Sequence, residues 1–266
     1  MSNQQKYALI TGGSSGIGYE LAKVFAREKY NLILVARNEQ ELSKCAAELN
    51  QNGIEVITLS KDLFKRADAY AVYDEVKAHG IQVDVLVNDA GQGLYGEFKD
   101  TNLDRELDII QLNIGATVIL TKLFLKDMVA RNDGKILQLA SIGSVLPGPF
   151  ESVYHGTKAF ILSFTEAIHT ELKDTNVTVT ALLPGVTDTD FFNKADMQES
   201  KLVQEGSMDD PAKVAQDGFD ALMAGEMKVT SGLKNKAMVG MAHVAPDNAV
   251  AANMYNQAKP VDQSEK

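Results

Sequence analysis

Tyr7-Ala-Leu-Ile-Thr-Gly12-Gly-Ser-Ser-Gly16-Ile-Gly18 is the stretch from which the rest of the chain is read. Its apolar run, Tyr7 to Ile10, stops abruptly in small residues. From Tyr19 the spacing turns helical, with Leu21, Ala22, Val24 and Phe25 on one side, so the pattern predicts strand, glycine turn, helix. Such a turn can cradle a phosphate. Glycine lets the backbone bend tightly and approach a ligand, and the first helical turn offers unpaired N–H groups and the positive end of its dipole. The spacing of Gly12, Gly16 and Gly18 is not G-x-G-x-x-G, and glycine turns also serve as plain connections, so these residues alone leave the function open.

Outward from the turn, Asn31 to Val35 is a second apolar run, and Glu39 to Gln51 alternates Leu42, Ala46 and Leu49 with charged residues as an amphipathic helix does, until Gly53 stops it. Strands are then predicted at Ile54–Leu59, Val83–Val87, Lys135–Ala140 and Val177–Leu183, with helices at Ala67–Ala78, Leu103–Ala130 and Tyr154–Leu172. Six strands alternating with helices predict an α/β fold built on a parallel sheet covered on both faces. Beyond Pro184 the stretch 187–210 is polar and acidic without clear period, a candidate substrate lid. Pro211 suits the start of a helix over Ala212–Ala224, Lys228–Thr230 is a short β-like run, and 234–266 forms a C-terminal extension with Met238, Met241 and a short helix at Asp247–Gln257.

The length of 266 residues, with no proline- or serine-rich linker, predicts a single domain. No apolar run reaches the roughly 18 residues of a membrane span, and Met1 to Lys6 is polar. The single cysteine, Cys45, allows no internal disulfide, which suits a reducing cytoplasm. With 26 basic and 36 acidic side chains the net charge is −10, and no basic stripe with interleaved aromatics is present, so nucleic acid is not an expected partner. His79, His155, His169 and His243 show no mutual ligand spacing, and no metal site is expected.

A second group, Ser141 with Tyr154 and Lys158, carries chemistry. Lys158 follows Tyr154 by four positions on a predicted helix, so both side chains share a face, and an ammonium beside a phenol favours its charged form. A tyrosine titrating near its ordinary value of about 10 needs such a neighbour to act as acid and base near neutrality. Ser141 follows an apolar strand, at the carboxyl end of the sheet where open α/β sheets bind ligands. A Tyr-x-x-x-Lys pair alone also describes a solvated helix face; its company with the glycine turn gives it meaning.

Taken together, Thr11-Gly12-x-x-x-Gly16-x-Gly18, Asp62, Asn88-Asp89-Ala90-Gly91, Asn113, Ser141, Tyr154-x-x-x-Lys158 and Pro184-Gly185-x-x-x-Thr189 resemble the short-chain dehydrogenase/reductase family, from about Tyr7 to Thr189. The resemblance implies a Rossmann-type doubly wound sheet and hydride transfer between a nicotinamide cofactor and a carbonyl or alcohol. It implies Tyr154 as proton donor in reduction, with Lys158 lowering its pKa and holding the nicotinamide ribose. Ser141 would polarise the substrate carbonyl, and Asn113 would support a proton relay to Lys158. The cofactor would be held by Gly12, Ser14, Ser15, Gly16, Ile17 and Gly18, by Arg37, Asp62 and Leu63, by Asn88, Ala90 and Gly91, by Tyr154 and Lys158, and by Pro184, Gly185, Val186, Thr187 and Thr189. Asp89 stands where the family usually has asparagine and is expected to touch sheet stability or local hydrogen bonding rather than chemistry.

At the end of the second strand Arg37 lies 19 positions after Gly18, and neither Ala36 nor Arg37 is acidic, which favours NADP(H) over NAD(H) because arginine attracts the 2′-phosphate that an acid would repel. Ser14 could add a hydroxyl. Leu94, Tyr95, Val145, Leu146, Phe150, Phe191 and Phe192 lie in segments expected to form the pocket, which implies a moderately apolar small-molecule substrate. A homo-oligomer is expected, as a dimer through the helices near Leu103–Ala130 and Tyr154–Leu172. Two other readings fit parts of the pattern. A catalytically idle, redox-sensing dinucleotide binder has no need of Asn113, Ser141, Tyr154 and Lys158 together, and a methyltransferase leaves the Tyr154–Lys158 pair unexplained.

Overall fold

Alternation within strands sets the architecture. The computed structural model describes residues 5–242 and 244–261. In β1 (Tyr7–Thr11), Ala8 and Ile10 enter one core and Leu9 the other, all fully buried, so the strand is covered on both sides. β2 (Asn31–Ala36) repeats this, with Leu32 and Leu34 opposite Ile33 and Val35. With β3 (Val56–Ser60), β4 (Val83–Asn88), β5 (Gly134–Leu139), β6 (Val177–Leu183) and β7 (Lys228–Thr230) they form one sheet in the order β3-β2-β1-β4-β5-β6-β7. Every pairing is parallel.

On the first face pack α1 (Gly16–Arg27), α2 (Glu39–Leu49) and α9 (Pro211–Ala224), on the second α3 (Arg66–Ala78), α5 (Thr117–Arg131) and α6 (Ser152–Glu171). This is the expected Rossmann-type doubly wound fold. The strand order reverses between β1 and β4, which leaves a crevice at the carboxyl ends of the strands. Local signals set the helix ends. Asn38 accepts from the N–H groups of Gln40 and Glu41 at the start of α2, and Asp210 from that of Ala212, with Pro211 as the first residue of α9.

The single helix expected over Leu103–Ala130 is divided. α4 (Leu103–Ile110) runs into a π-helical turn, Gln111–Ala116, before α5 continues to Arg131. The whole, Leu103–Arg131, is long and apolar enough to meet the length and composition of a membrane span, which amends the expectation that no such stretch exists. Its apolar side chains have another place, however: Ile109, Leu112, Leu120, Phe124 and Met128 are buried, and all but Ile109 belong to the core of the second face.

Segment 187–210 is more ordered than its lack of period suggested. It holds α7 (Phe191–Lys194) and α8 (Lys201–Gln204) and a small core of its own, in which Phe192, Ala195 and Met197 are buried beside Tyr95, Leu202 and Met208. Past β7, α10 (Leu233–Ala242) and α11 (Asp247–Ala258) form the described part of the C-terminal extension; the expectations for His243 and for residues 262–266 fall outside the described residues.

Candidate active site

A cavity of about 840 Å3 runs along the carboxyl ends of the strands from the glycine turn to α6, α7 and the end of α11. At its outer end, Gly12 and Gly16 adopt left-handed φ values of +71° and +56°. A Cβ at Gly12 would lie 2.8 Å from the Asp89 carboxyl, and one at Gly16 3.2 Å from Thr189, so only glycine leaves this passage open. Ser14, Ser15 and Ile17 line the same end. Arg37 also lines it; its side chain is exposed, lies 5.0 Å over the Phe64 ring, and among the described residues forms no ion pair.

Deeper in, Ala90, Gly91, Ser141, Tyr154 and Lys158 line the cavity opposite Pro184, Gly185, Val186, Thr187 and Thr189, with Leu63 nearer the mouth. A Cβ at Gly91 would meet Asn113 Oδ1 and Lys158 Nζ at 3.4 Å, which shows how closely the chain passes both. The π-helical turn presents Asn113, whose Oδ1 accepts from the Gln92 N–H at 3.0 Å and whose Nδ2 donates to the Gln92 carbonyl at 3.0 Å and Thr157 Oγ1 at 2.9 Å. Thr157, which in turn donates to the Tyr154 carbonyl at 2.7 Å, thus ties the π-helical turn to α6 through Asn113. Ser141 sits at the end of β5, where its Oγ accepts from Gly143 N–H at 3.0 Å. Lys158 Nζ donates to the Leu139 carbonyl at 2.6 Å and lies 5.7 Å from the centre of the Tyr154 ring.

Four of the expected site residues do not line the cavity: Gly18, Asp62, Asn88 and Asn113. Gly18 N–H is held by Asp89, and Asn113 acts from behind Gly91. Asp62 organises its own turn, accepting from Phe64 N–H at 3.3 Å and facing Lys65 Nζ at 3.8 Å. Asn88 is turned into the interior, donating to Thr121 Oγ1 at 3.1 Å and Gln138 Oε1 at 3.0 Å, so it braces β4 against β5 and α5.

The electrostatics differ from the expectation in two respects. Burial pushes the Tyr154 phenol up, the Glu151 carboxyl adds to this, and the hydrogen bond with Ser141 opposes it; Lys158 is not what sets its pKa here. Burial also lowers Lys158 and raises Asp89, each charge countering the other's shift. Asp89 therefore acts on the charge of the site and not on local hydrogen bonding alone.

Several residues escaped the sequence reading. Glu151, three positions before Tyr154, lines the cavity with its side chain buried. Asn235 reaches across Gly185, where a Cβ would come within 2.4 Å of its amide, and donates to Asp209 at 2.7 Å. Gln92 Nε2 donates to the Lys194 carbonyl at 2.7 Å and so fastens α7 to the loop after β4. Only Glu151 carried a sequence signal, an acid within one helical turn of the tyrosine.

The sequence profile of the short chain dehydrogenase family matches residues 6–200. An uncharacterized oxidoreductase of Staphylococcus epidermidis is 32% identical over 207 residues, 78% of this chain and 89% of that protein. A short-chain dehydrogenase from Sphingobium yanoikuyae in complex with NADPH superposes with a TM-score of 0.82 at 28% identity, covering 97% of this chain and 99% of that one. A short chain dehydrogenase/reductase of Burkholderia phymatum in complex with NAD shares the fold, with a TM-score of 0.82 at 22% identity over 98% of each chain. With the glycine turn, Ser141, Tyr154 and Lys158 gathered on one cleft, the chain belongs to the short-chain dehydrogenase/reductase family of oxidoreductases.

Proposed function

We propose that this protein is an NADP(H)-dependent oxidoreductase that moves a hydride between nicotinamide and a carbonyl or alcohol substrate, with Tyr154 as acid and base. The observation that carries the reading is the convergence of Ser141, Tyr154 and Lys158 on the inner end of the cleft whose outer end is the glycine turn and Arg37. The left-handed glycines, the narrow passage at Gly12 and Gly16 and the free Arg37 guanidinium suit a phosphorylated dinucleotide. A bound nicotinamide cofactor would supply the hydride in reduction and accept it in oxidation.

The chain's own residues do the rest. Tyr154 gives its phenolic proton to the substrate oxygen in reduction and takes it back in oxidation. Ser141, fixed at the strand end, donates its one hydroxyl hydrogen to that oxygen in place of the bond it makes with Tyr154, which stabilises the charge that develops there. Lys158, held by the Leu139 carbonyl, presents its ammonium to the same space. Asn113, anchored on both sides of Gln92 and on Thr157, holds Gly91 and the start of α6 in register. The NADPH-bound Sphingobium relative is consistent with the cofactor choice. A homo-oligomer belongs to the same reading, with exposed Leu103, Leu107, Ile110 and Phe160 on α4 and α6 as its apolar face. A panel of aldehydes, ketones and alcohols, followed by NADPH absorbance, tests the reading; substrate-dependent consumption or formation of NADPH supports it, and none across the panel contradicts it.

A further inference from the structure

Glu151 stands outside the machinery described so far, yet it is the most unusual group in the cavity. Only 6% of the residue is exposed, and among the described residues its buried Oε1 has no hydrogen-bond partner. A buried polar oxygen left unpaired costs about 1 to 3 kcal/mol. Such a group persists where something other than folding requires it. Its neighbours here are apolar or aromatic: a Cβ on Gly93 would touch Phe191 at 3.0 Å, Glu151 Oε1 at 3.2 Å and Ala195 at 3.6 Å, so the carboxyl lies close to Gly93, Phe191 and Ala195. The residue before it, Phe150, has φ of +68°, a left-handed conformation that a bulky side chain adopts only under constraint. Phe150 is held there by stacking between Tyr95 and Tyr255, and by accepting from Gly96 N–H at 2.8 Å. The chain is thus bent at a cost, and the next side chain is the unpaired carboxyl.

Glu151 is the residue just before α6 and Tyr154 lies in its first turn; both line the cavity, and the Glu151 carboxyl is near enough to raise the Tyr154 phenol. The Phe191 ring lies 5.0 Å from the Tyr154 ring, so α7 closes over both. A substrate oxygen at Tyr154 therefore has the Glu151 carboxyl beside it, within reach of a neighbouring carbon's substituent.

We propose that Glu151 selects the substrate class: carbonyl compounds and alcohols that carry a second hydroxyl on a carbon next to the reacting one, hydroxyketones and vicinal diols. The inference rests on the oxidoreductase reading for what happens at the first oxygen. A hydroxyl is the group that fits. It can donate to the carboxyl when ionised and accept from it when protonated, whereas an ammonium serves only the first state and a second carbonyl only the second. An ammonium would also have to lose its water among Phe191, Tyr95 and Ala195. Burial raises the Glu151 carboxyl to about 7, and a partner that serves either state suits it.

The test compares 2-hydroxyacetophenone with acetophenone, and acetoin with 2-butanone, in wild type, Glu151→Gln and Glu151→Leu. Because a hydroxyl also activates the ketone electronically, the readout is the change in the hydroxyketone-to-ketone ratio of kcat/KM between proteins. The ratio should fall about 10- to 100-fold in Glu151→Leu, with part retained in Glu151→Gln, which can still hydrogen-bond. The same ratio in all three proteins would overturn the assignment. A second readout needs no turnover: binding of 1-phenyl-1,2-ethanediol against 1-phenylethanol to the protein with NADP+, by calorimetry. A diol preference that disappears in Glu151→Leu supports the assignment even if no ketone is reduced, in which case the oxidoreductase reading falls alone. Turnover without any change in either ratio sinks the Glu151 assignment and leaves that reading standing.

Discussion

At the scale of single residues, charge and burial decide the behaviour of this site. Arg37 stacks on Phe64 and keeps its guanidinium on the cleft, so its expected task is the 2′-phosphate. A charge-assisted contact of that kind is worth about 1.5 to 3 kcal/mol, or roughly one to two powers of ten in affinity. Arg37→Ala should weaken NADPH binding by that factor and leave NADH nearly unchanged; an equal loss for both would argue against the cofactor assignment. Glu151 allows a prediction with a definite sign. Its folded pKa, about 7, lies above the ordinary carboxyl value of 4.5, so the folded state holds the proton more tightly than the unfolded one. Stability is then fully present below the unfolded pKa and is lost as pH rises through about 7. Glu151→Gln is neutral throughout and should gain on wild type across this window, reaching about 2 to 3 kcal/mol by pH 8. Asp89, also raised by burial, is present in both proteins, so it drops out of the difference. Chemical denaturation of the pair at pH 5 and pH 8 measures this, and an equal gap at both pH values would contradict it.

At the scale of elements, the tail fastens segment 187–210. Tyr95 donates to the Ala258 carbonyl at 2.6 Å, Lys201 N–H to the Lys259 carbonyl at 3.1 Å and Val261 N–H to the Glu199 carbonyl at 2.9 Å, so the end of α11 crosses the segment that covers the cavity. Tyr95→Phe removes the first of these and should cost about 1 kcal/mol. It should also speed amide exchange in 187–210 more than in β1 or β4, and NADPH should slow exchange in that segment in both proteins; uniform exchange would remove the idea of a tail-held lid. These elements also show what was legible in the sequence. Strands such as Val177–Leu183 were readable because both faces are buried and the apolar run is unbroken. The π-helical turn was not, since Gln111–Ala116 keeps helical composition and only tertiary contacts of Asn113 with Gln92 and Thr157 reveal it. The order within 187–210 was hidden for the same reason: Phe192 and Met197 bury against distant Tyr95, not along a helix period. Of the site, the glycine turn, Ser141 and Tyr154–Lys158 were legible by their spacing. The partners of Asn88 and Asp62 and the burial of the Glu151 carboxyl were not, because they depend on which way each side chain turns.

For the whole molecule, one sheet brings residues far apart in the chain to a single cleft and leaves apolar side chains on the outside of α4 and α6. Leu103 and Leu107 are more than half exposed on α4, at 65% and 53%, a poor arrangement for a lone chain in water. Wild type should therefore sediment as a dimer or larger, and Leu107→Asp should shift it toward the monomer; a wild-type monomer at micromolar concentration would contradict this. The cleft itself carries the central claim, that the phenol of Tyr154 transfers the proton while the rest of the fold holds the dinucleotide. The most direct test pairs Tyr154→Phe turnover with NADPH binding. The ring still packs against Phe191, so affinity for NADPH should stay within a few fold of wild type while turnover falls by a factor on the order of 10² to 10⁴ or more. Turnover near the wild-type level with NADPH binding intact would contradict the account.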